Sequence, residues 1–166
     1  QEFEFTAGID LGKENSLVFS PENKIKSSLK INEDWRPLSF TKTGKIEESE
    51  IVFAGYGLEV PEEKDEKGNK LELYSSYFHL DVKDKWVMVF RYMPENLSEE
   101  QRRRFSRYSH PRYKTMIARQ KGAKGIIIVS GPNAKVKSQL MPLGTDASMS
   151  DSGMACISIT DSLAQG

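Results

Sequence analysis

Lys85-Trp-Val-Met-Val-Phe-Arg91 and Gly125-Ile-Ile-Ile-Val-Ser130 are the stretches whose reading decides the fold. The first is a short apolar run bounded by charge, rich in the β-branched and aromatic residues that suit a pleated, buried surface. The second is apolar on both faces, as a strand covered on both sides would be. Between them lies a helical region that starts at Ser98 and stops at Gly122. A connection of that length carrying a helix joins two parallel strands by a crossover. The predicted centre of the fold is therefore one β-α-β unit.

Local signals sharpen the connection. Ser98-Glu-Glu-Gln101 is a capping box, with two acids at the positive end of the helix. Pro111 interrupts the pattern, which predicts a short first helix and a second from Pro111 to Lys121. In the second, Tyr113, Met116, Ile117 and Gln120 are placed on one face, and Gly122 supplies the stop.

Working outward, residues 1–20 suggest two short strands and a turn, and Pro21 to Lys24 is turn chemistry. Ile25, Leu29 and Ile31 alternate as a half-buried strand does, and Asn32 to Pro37 reads as a loop. Leu38–Thr41 and Glu50–Ala54 read as strands around the turn Lys42–Lys45. Gly55-Tyr-Gly57 follows the second of these and marks a bulge or a close backbone approach. Residues 62–70 are wholly polar; Lys64 and Lys67 stand where a calcium loop needs oxygen ligands, so a solvated loop is expected. Gly131 to Gly153 is expected to be largely loop, and Met154 to Thr160 has the alternation of a final strand.

The chain of 166 residues carries 24 basic and 24 acidic side chains. A balanced charge argues against a dedicated nucleic-acid or membrane-surface protein, although a local patch is compatible with it. Cys156 is the only cysteine, so no intrachain disulfide can form. No apolar run approaches the ~20 residues of a membrane-spanning helix. Gln1 to Phe5 lacks the pattern of a signal peptide, and the chain stops at Gly166 with no closing helix in the reading. We expect a piece of a longer protein.

Residues that might carry chemistry are few. His79 and His110 belong to no cluster with metal-ligand spacing. A Gly-x-Ser-x-Gly elbow is absent, and the serine-rich segment Ser148 to Gly153 has no paired histidine. Cys156, inside an apolar strand, reads as a small buried hydrophobe. No catalytic or metal-binding residue is predicted. The strongest local charge runs from Arg102 to Lys114, basic residues interleaved with aromatics, as an anion or single-stranded nucleic acid would exploit. Its binding candidates are Arg102, Arg103, Arg107, Tyr108 and Arg112. The competing and favoured reading is a solvated helix face whose arginines pair with Glu95, Glu99 and Glu100.

Three segments, taken together and in order, resemble the protease-associated domain. They are Ile51-Val-Phe-Ala-Gly-Tyr-Gly-Leu58, Leu80-Asp-Val-Lys-Asp-Lys-Trp-Val-Met-Val-Phe-Arg91, and Arg112 to Ser130 with its Gly122-Ala-Lys-Gly125 element. The closer likeness is to the domain inserted in two-zinc aminopeptidases, the clan of glutamate carboxypeptidase and the transferrin receptor. Residues 1–20, with Ala7 to Leu17, are similar to the lead-in to that insert, and the likeness covers most of the chain.

The resemblance implies a single domain over residues 1–166 of β-rich α+β class, a β-sandwich or open barrel flanked by helices, with one β-α-β crossover. It implies no catalytic residues here, a role in shaping substrate access or protein contacts, and zinc held by the catalytic domain of the parent peptidase. The implied partners are that catalytic domain and its peptide or protein substrate. No nucleic acid and no membrane span are implied, and the implied location of the parent is secreted, periplasmic or cell-envelope. The long Glu95–His110 segment departs from the usual insert. So do Ser75 and Ser76, which stand where relatives carry acidic residues. The rival function is a stand-alone anion- or nucleic-acid-binding module using Arg102 to Lys114, with salt-sensitive affinity.

Overall fold

The computed structural model describes residues 11–20, 27–132, 134–135, 139–144 and 151–165. In chain order the strands before the crossover are β1 (Leu17–Phe19), β2 (Ser27–Leu29), β3 (Trp35–Pro37), β4 (Ile51–Phe53), β5 (Glu59–Val60), β6 (Glu63–Lys64), β7 (Lys70–Leu71), β8 (Tyr74–Ser75) and β9 (Trp86–Phe90). Then come α1 (Glu99–Ser106), α2 (Pro111–Gln120), β10 (Gly125–Val129), β11 (Ala155–Ile159) and the short α3 (Asp161–Ala164). The fold is β-rich α+β, built on a five-stranded mixed sheet of order β3-β11-β10-β9-β4.

The expected β-α-β unit lies at its centre. β9 and β10 pair in parallel, Trp86 opposite Gly125 and Phe90 opposite Val129, with α1 and α2 in the connection. β4 adds to the free side of β9 and β11 to the free side of β10, both in parallel. Strands β4, β9, β10 and β11 are thus laid down in one direction across the sheet. The order never reverses among them, and reversal is what opens the ligand crevice of doubly wound sheets.

β10 is buried along its whole length, as its unbroken apolar sequence predicts. One side of the sheet carries Val87, Val89, Ile126, Ile128 and Cys156, packed under Ile117 and Ala118 of α2 together with Leu38, Phe40 and Tyr77. The other side carries Ile127, Val129, Ile157 and Ile159, covered by Trp35, by Leu17 and Leu29 of the β1–β2 ribbon and by Leu163 of α3. A third cluster, Leu58, Val60 and Phe105, sits beneath α1.

Several expectations are corrected. The segment from Asn32 to Pro37 is not all loop: Trp35–Pro37 forms β3, antiparallel to β11, with Pro37 opposite Ile157. Proline is tolerated there because an edge strand has one unpaired side. Leu38–Thr41 is not a strand; its Leu38 and Phe40 turn into the core while Thr41 N–H donates to Leu38 O in a turn. The segments flanking Lys42–Lys45 do not pair with each other but run to opposite edges of the sheet. β11 is buried on both faces rather than alternating, because Cys156 packs under α2 on one side and Ile157 and Ile159 pack in the opposite cluster with Trp35 and Leu163.

Residues 62–70 hold a small ribbon, β6 with β7, and the chain does carry a closing helix, α3. In α2 it is Lys114, Thr115, Ile117 and Ala118 that are buried, and Gln120 is exposed. Phe3, Phe5, Ile9, the Pro21–Lys24 turn and Ile25 lie outside the described residues.

Candidate functional site

The capping box forms as its sequence requires. Gln101 N–H donates to Ser98 Oγ, and Ser98 N–H donates to Gln101 Oε1. α1 therefore starts in a fixed register, and its arginines are fanned around the helix by the 3.6-residue turn. Arg104 goes inward beside Phe105, at 9% exposure. Its Nη2 donates to the carbonyls of Pro61 (2.6 Å), Glu72 (2.8 Å) and Leu71 (3.3 Å), and its Nε lies 2.8 Å from Glu63 Oε1. One guanidinium thus ties the β6–β7 ribbon to α1.

The other predicted binding residues separate. Arg107 Nη2 reaches both carboxylate oxygens of Glu63, at 2.7 and 2.9 Å. Arg102 donates to Glu95 O at 3.3 Å, so its contact is with a main-chain carbonyl. Arg103 is exposed. Tyr108 is half-buried against Tyr113, ring centroids 5.2 Å apart, with the Arg107 guanidinium 5.6 Å from its ring. Arg112 belongs to α2 and sits 4.6 Å over the Phe40 ring. It lines a cavity of about 150 Å³ with Thr115, Arg119, Asp151 and Ser152. The expected partners Glu99 and Glu100 give way to Glu63, which comes from a distant ribbon and so was invisible to helix spacing. The five residues form no continuous basic face, and Glu63 neutralises the part where two arginines meet.

Lys114 is the buried charge that sequence reading missed. It is fully buried, and its Nζ donates to the carbonyls of Phe90 (2.7 Å), Tyr92 (3.0 Å) and Arg91 (3.1 Å). All three ammonium protons are used, and the end of β9 is fastened to α2. Burial drives its pKa down, to about 7; the three acceptors favour the charged form and oppose that shift. The signal was present. Lys114 shares the i, i+3, i+4 stripe with Ile117 and Ala118, and that stripe is the inner face.

Groups with reactive potential are occupied structurally. The Cys156 thiol is fully buried, 3.2 Å from Ser152 Oγ, and desolvation lifts its pKa to about 11, away from thiolate chemistry. His110 is the N-cap of α2, its Nδ1 accepting from Arg112 N–H. His79 packs edge-on against Phe78. Asp65 spends its carboxylate on the Lys67 and Asn69 amides and on Asn69 Nδ2. Ser75 and Ser76 brace their own neighbourhood, accepting from Tyr77 N–H and Leu58 N–H. Among the described residues no three His, Cys, Asp or Glu side chains gather as a metal ion would need. No described helix is long and apolar enough to cross a membrane.

The three motif segments meet on β9. Gly57, at φ +61°, lets the chain approach so closely that a Cβ there would stand 2.6 Å from Val89. Asp84 N–H donates to Gly122 O, and Lys124 N–H donates to Lys85 O. At Gly125 a Cβ would lie 2.4 Å from the Trp86 ring. Comparison of the chain with family models, with curated proteins and with solved structures returned no match.

Proposed function

We propose that this chain is a non-catalytic protease-associated domain of a larger two-zinc aminopeptidase, where it shapes access to the active site and makes protein contacts. The observation that carries the reading is the convergence of the three motif segments around one strand. Gly57, the Asp81–Lys85 turn and Gly122–Gly125 lie far apart in sequence, yet each is required where the chain crosses β9. Residues that recur in a family for such a reason belong to the scaffold and not to a reaction. The side chains suited to catalysis support the same reading, since Cys156, His110 and Asp65 are each engaged in holding structure.

In this reading the zinc ions and their ligands belong to the parent's catalytic domain. Among the described residues no group of side chains fits a metal, and no step of hydrolysis is assigned to them. The parent works outside the cytosol, and its peptide substrate passes this domain on the way to the cleft.

The test is hydrolysis of aminoacyl and peptide substrates by the purified chain, with and without added zinc. No turnover above buffer is expected in either case, and zinc-dependent turnover would overturn the proposal. Reading the coding sequence on both sides supplies the second check. Zinc-ligand motifs in the same reading frame are expected, and a frame holding this domain alone would sink the peptidase assignment.

A further inference from the structure

The N-terminal ends of β10 and β11 carry a small basic cleft that the access-shaping role does not use. Gly125 and Ala155 are paired across these two strands, so the residues just before them, Lys124 and Met154, stand side by side. The segment from Lys42 to Glu47 closes the cleft. It is held in place by Lys42 N–H donating to Met154 O at 2.9 Å and by Ser152 N–H donating to Phe40 O at 2.9 Å. The resulting cavity, of about 250 Å³, is lined by Lys42, Lys45, Glu47, Lys124 and Gly153.

The lining holds three lysines and one glutamate, a surplus of two positive charges in a chain whose total is zero. Lys124 is half-buried, and among the described residues neither it nor Lys42 or Lys45 has an ion-pair partner. This contrasts with Lys70, Lys85 and Lys121, each of which meets a carboxylate. Lys42 and Lys45 are exposed, so an anion entering the open cavity meets a surplus of positive charge with no counter-ion already in place. The volume falls below the ~300–1,000 Å³ of pockets for larger ligands, which selects a small ion or ester. Lysine ammonium groups act as point charges and suit the oxygens of phosphate.

We propose that Lys42, Lys45 and Lys124 form a binding site for a dianionic phosphate group, carried by a small phosphate monoester. The site stands apart from the peptidase assignment and survives or fails separately from it.

The test follows backbone amide shifts as inorganic phosphate is added to the chain at low salt. Saturable shifts are expected at Lys42, Lys45, Lys124 and Gly153 to Ala155, with a Kd on the order of 1 mM. Lys124→Gln should weaken binding about fivefold or more, the loss of one charge-assisted contact. Lys30→Gln, at a lysine already paired with Glu33, should leave it unchanged. Retained thermal midpoints check that both variants fold. Glycerol phosphate and a short phosphoserine peptide then distinguish the source of the phosphate. Tighter binding of the former supports a monoester, and tighter binding of the peptide overturns that assignment. Shifts that fail to saturate, or that spread over surface lysines elsewhere, overturn the site itself.

Discussion

Two kinds of cation share the stretch from Arg102 to Lys114, and their fates differ completely. Arg104 and Lys114 are buried, and each donates to three main-chain carbonyls from outside its own helix, Arg104 through Nη2 and Lys114 through Nζ. Arg102 and Arg103 are exposed on the same first helix. Charge composition alone makes these residues equivalent. The difference teaches that a basic run can be a set of internal clamps. Here one clamp fastens the β6–β7 ribbon and the other fastens the end of β9.

The sharpest way to break this comparison is to remove a clamp. Lys114→Met keeps the apolar stem and leaves three carbonyls without their donor; a loss of about 3 kcal/mol in urea unfolding is expected. A loss comparable to that of an exposed arginine would show that the clamp is dispensable. Arg104→Met should cost about 2 kcal/mol, with faster amide exchange confined first to Glu63–Lys64 and Lys70–Leu71. Exchange that rises uniformly would mean that Arg104 supports the whole core.

Acidity offers a gentler probe. The pKa of Lys114 falls from 10.5 toward about 7 on folding. Between those values the unfolded chain holds a proton that the folded chain has released, so raising the pH favours folding. Relative to Lys114→Met, the wild-type chain should gain stability from about pH 7 to about pH 8.5, at up to about 1.4 kcal/mol per pH unit. Cys156 and Tyr77, both raised by burial, act in the opposite sense at higher pH and cancel in the difference. A flat difference would mean that the three carbonyls hold the ammonium charged throughout that window.

The exposed cations close the series. Arg107→Ala, losing an ion pair with Glu63 at the surface, should cost at most about 1 kcal/mol, and less at high salt. Arg103→Ala should change the unfolding free energy by less than about 0.5 kcal/mol. A larger effect would remove the distinction between clamp and surface charge.

The β-α-β unit, both helix starts and the close approach at Gly57 were legible in the chain, because each depends on residues near one another in sequence. Ser98 and Gln101 cap α1, and Pro111 opens α2. β10 was found from five consecutive apolar residues. The candidate site was less legible. Arg107 lies where the arginine cluster predicts, but its partner is Glu63. Only the fold brings that ribbon to α1.

By itself, then, the sequence determined the central strands, the helices between them and the glycines that let strands approach. Those signals are written in capping, periodicity and backbone freedom over a few neighbouring residues. Tertiary structure alone decided that Trp35–Pro37 would join the sheet beside β11 and that Lys114 would lie inside. It also set around one cleft three lysines that have no ion-pair partner among the described residues. Each outcome depends on which distant carbonyl, strand edge or carboxylate arrives opposite a residue, and that is settled only when the whole chain has packed.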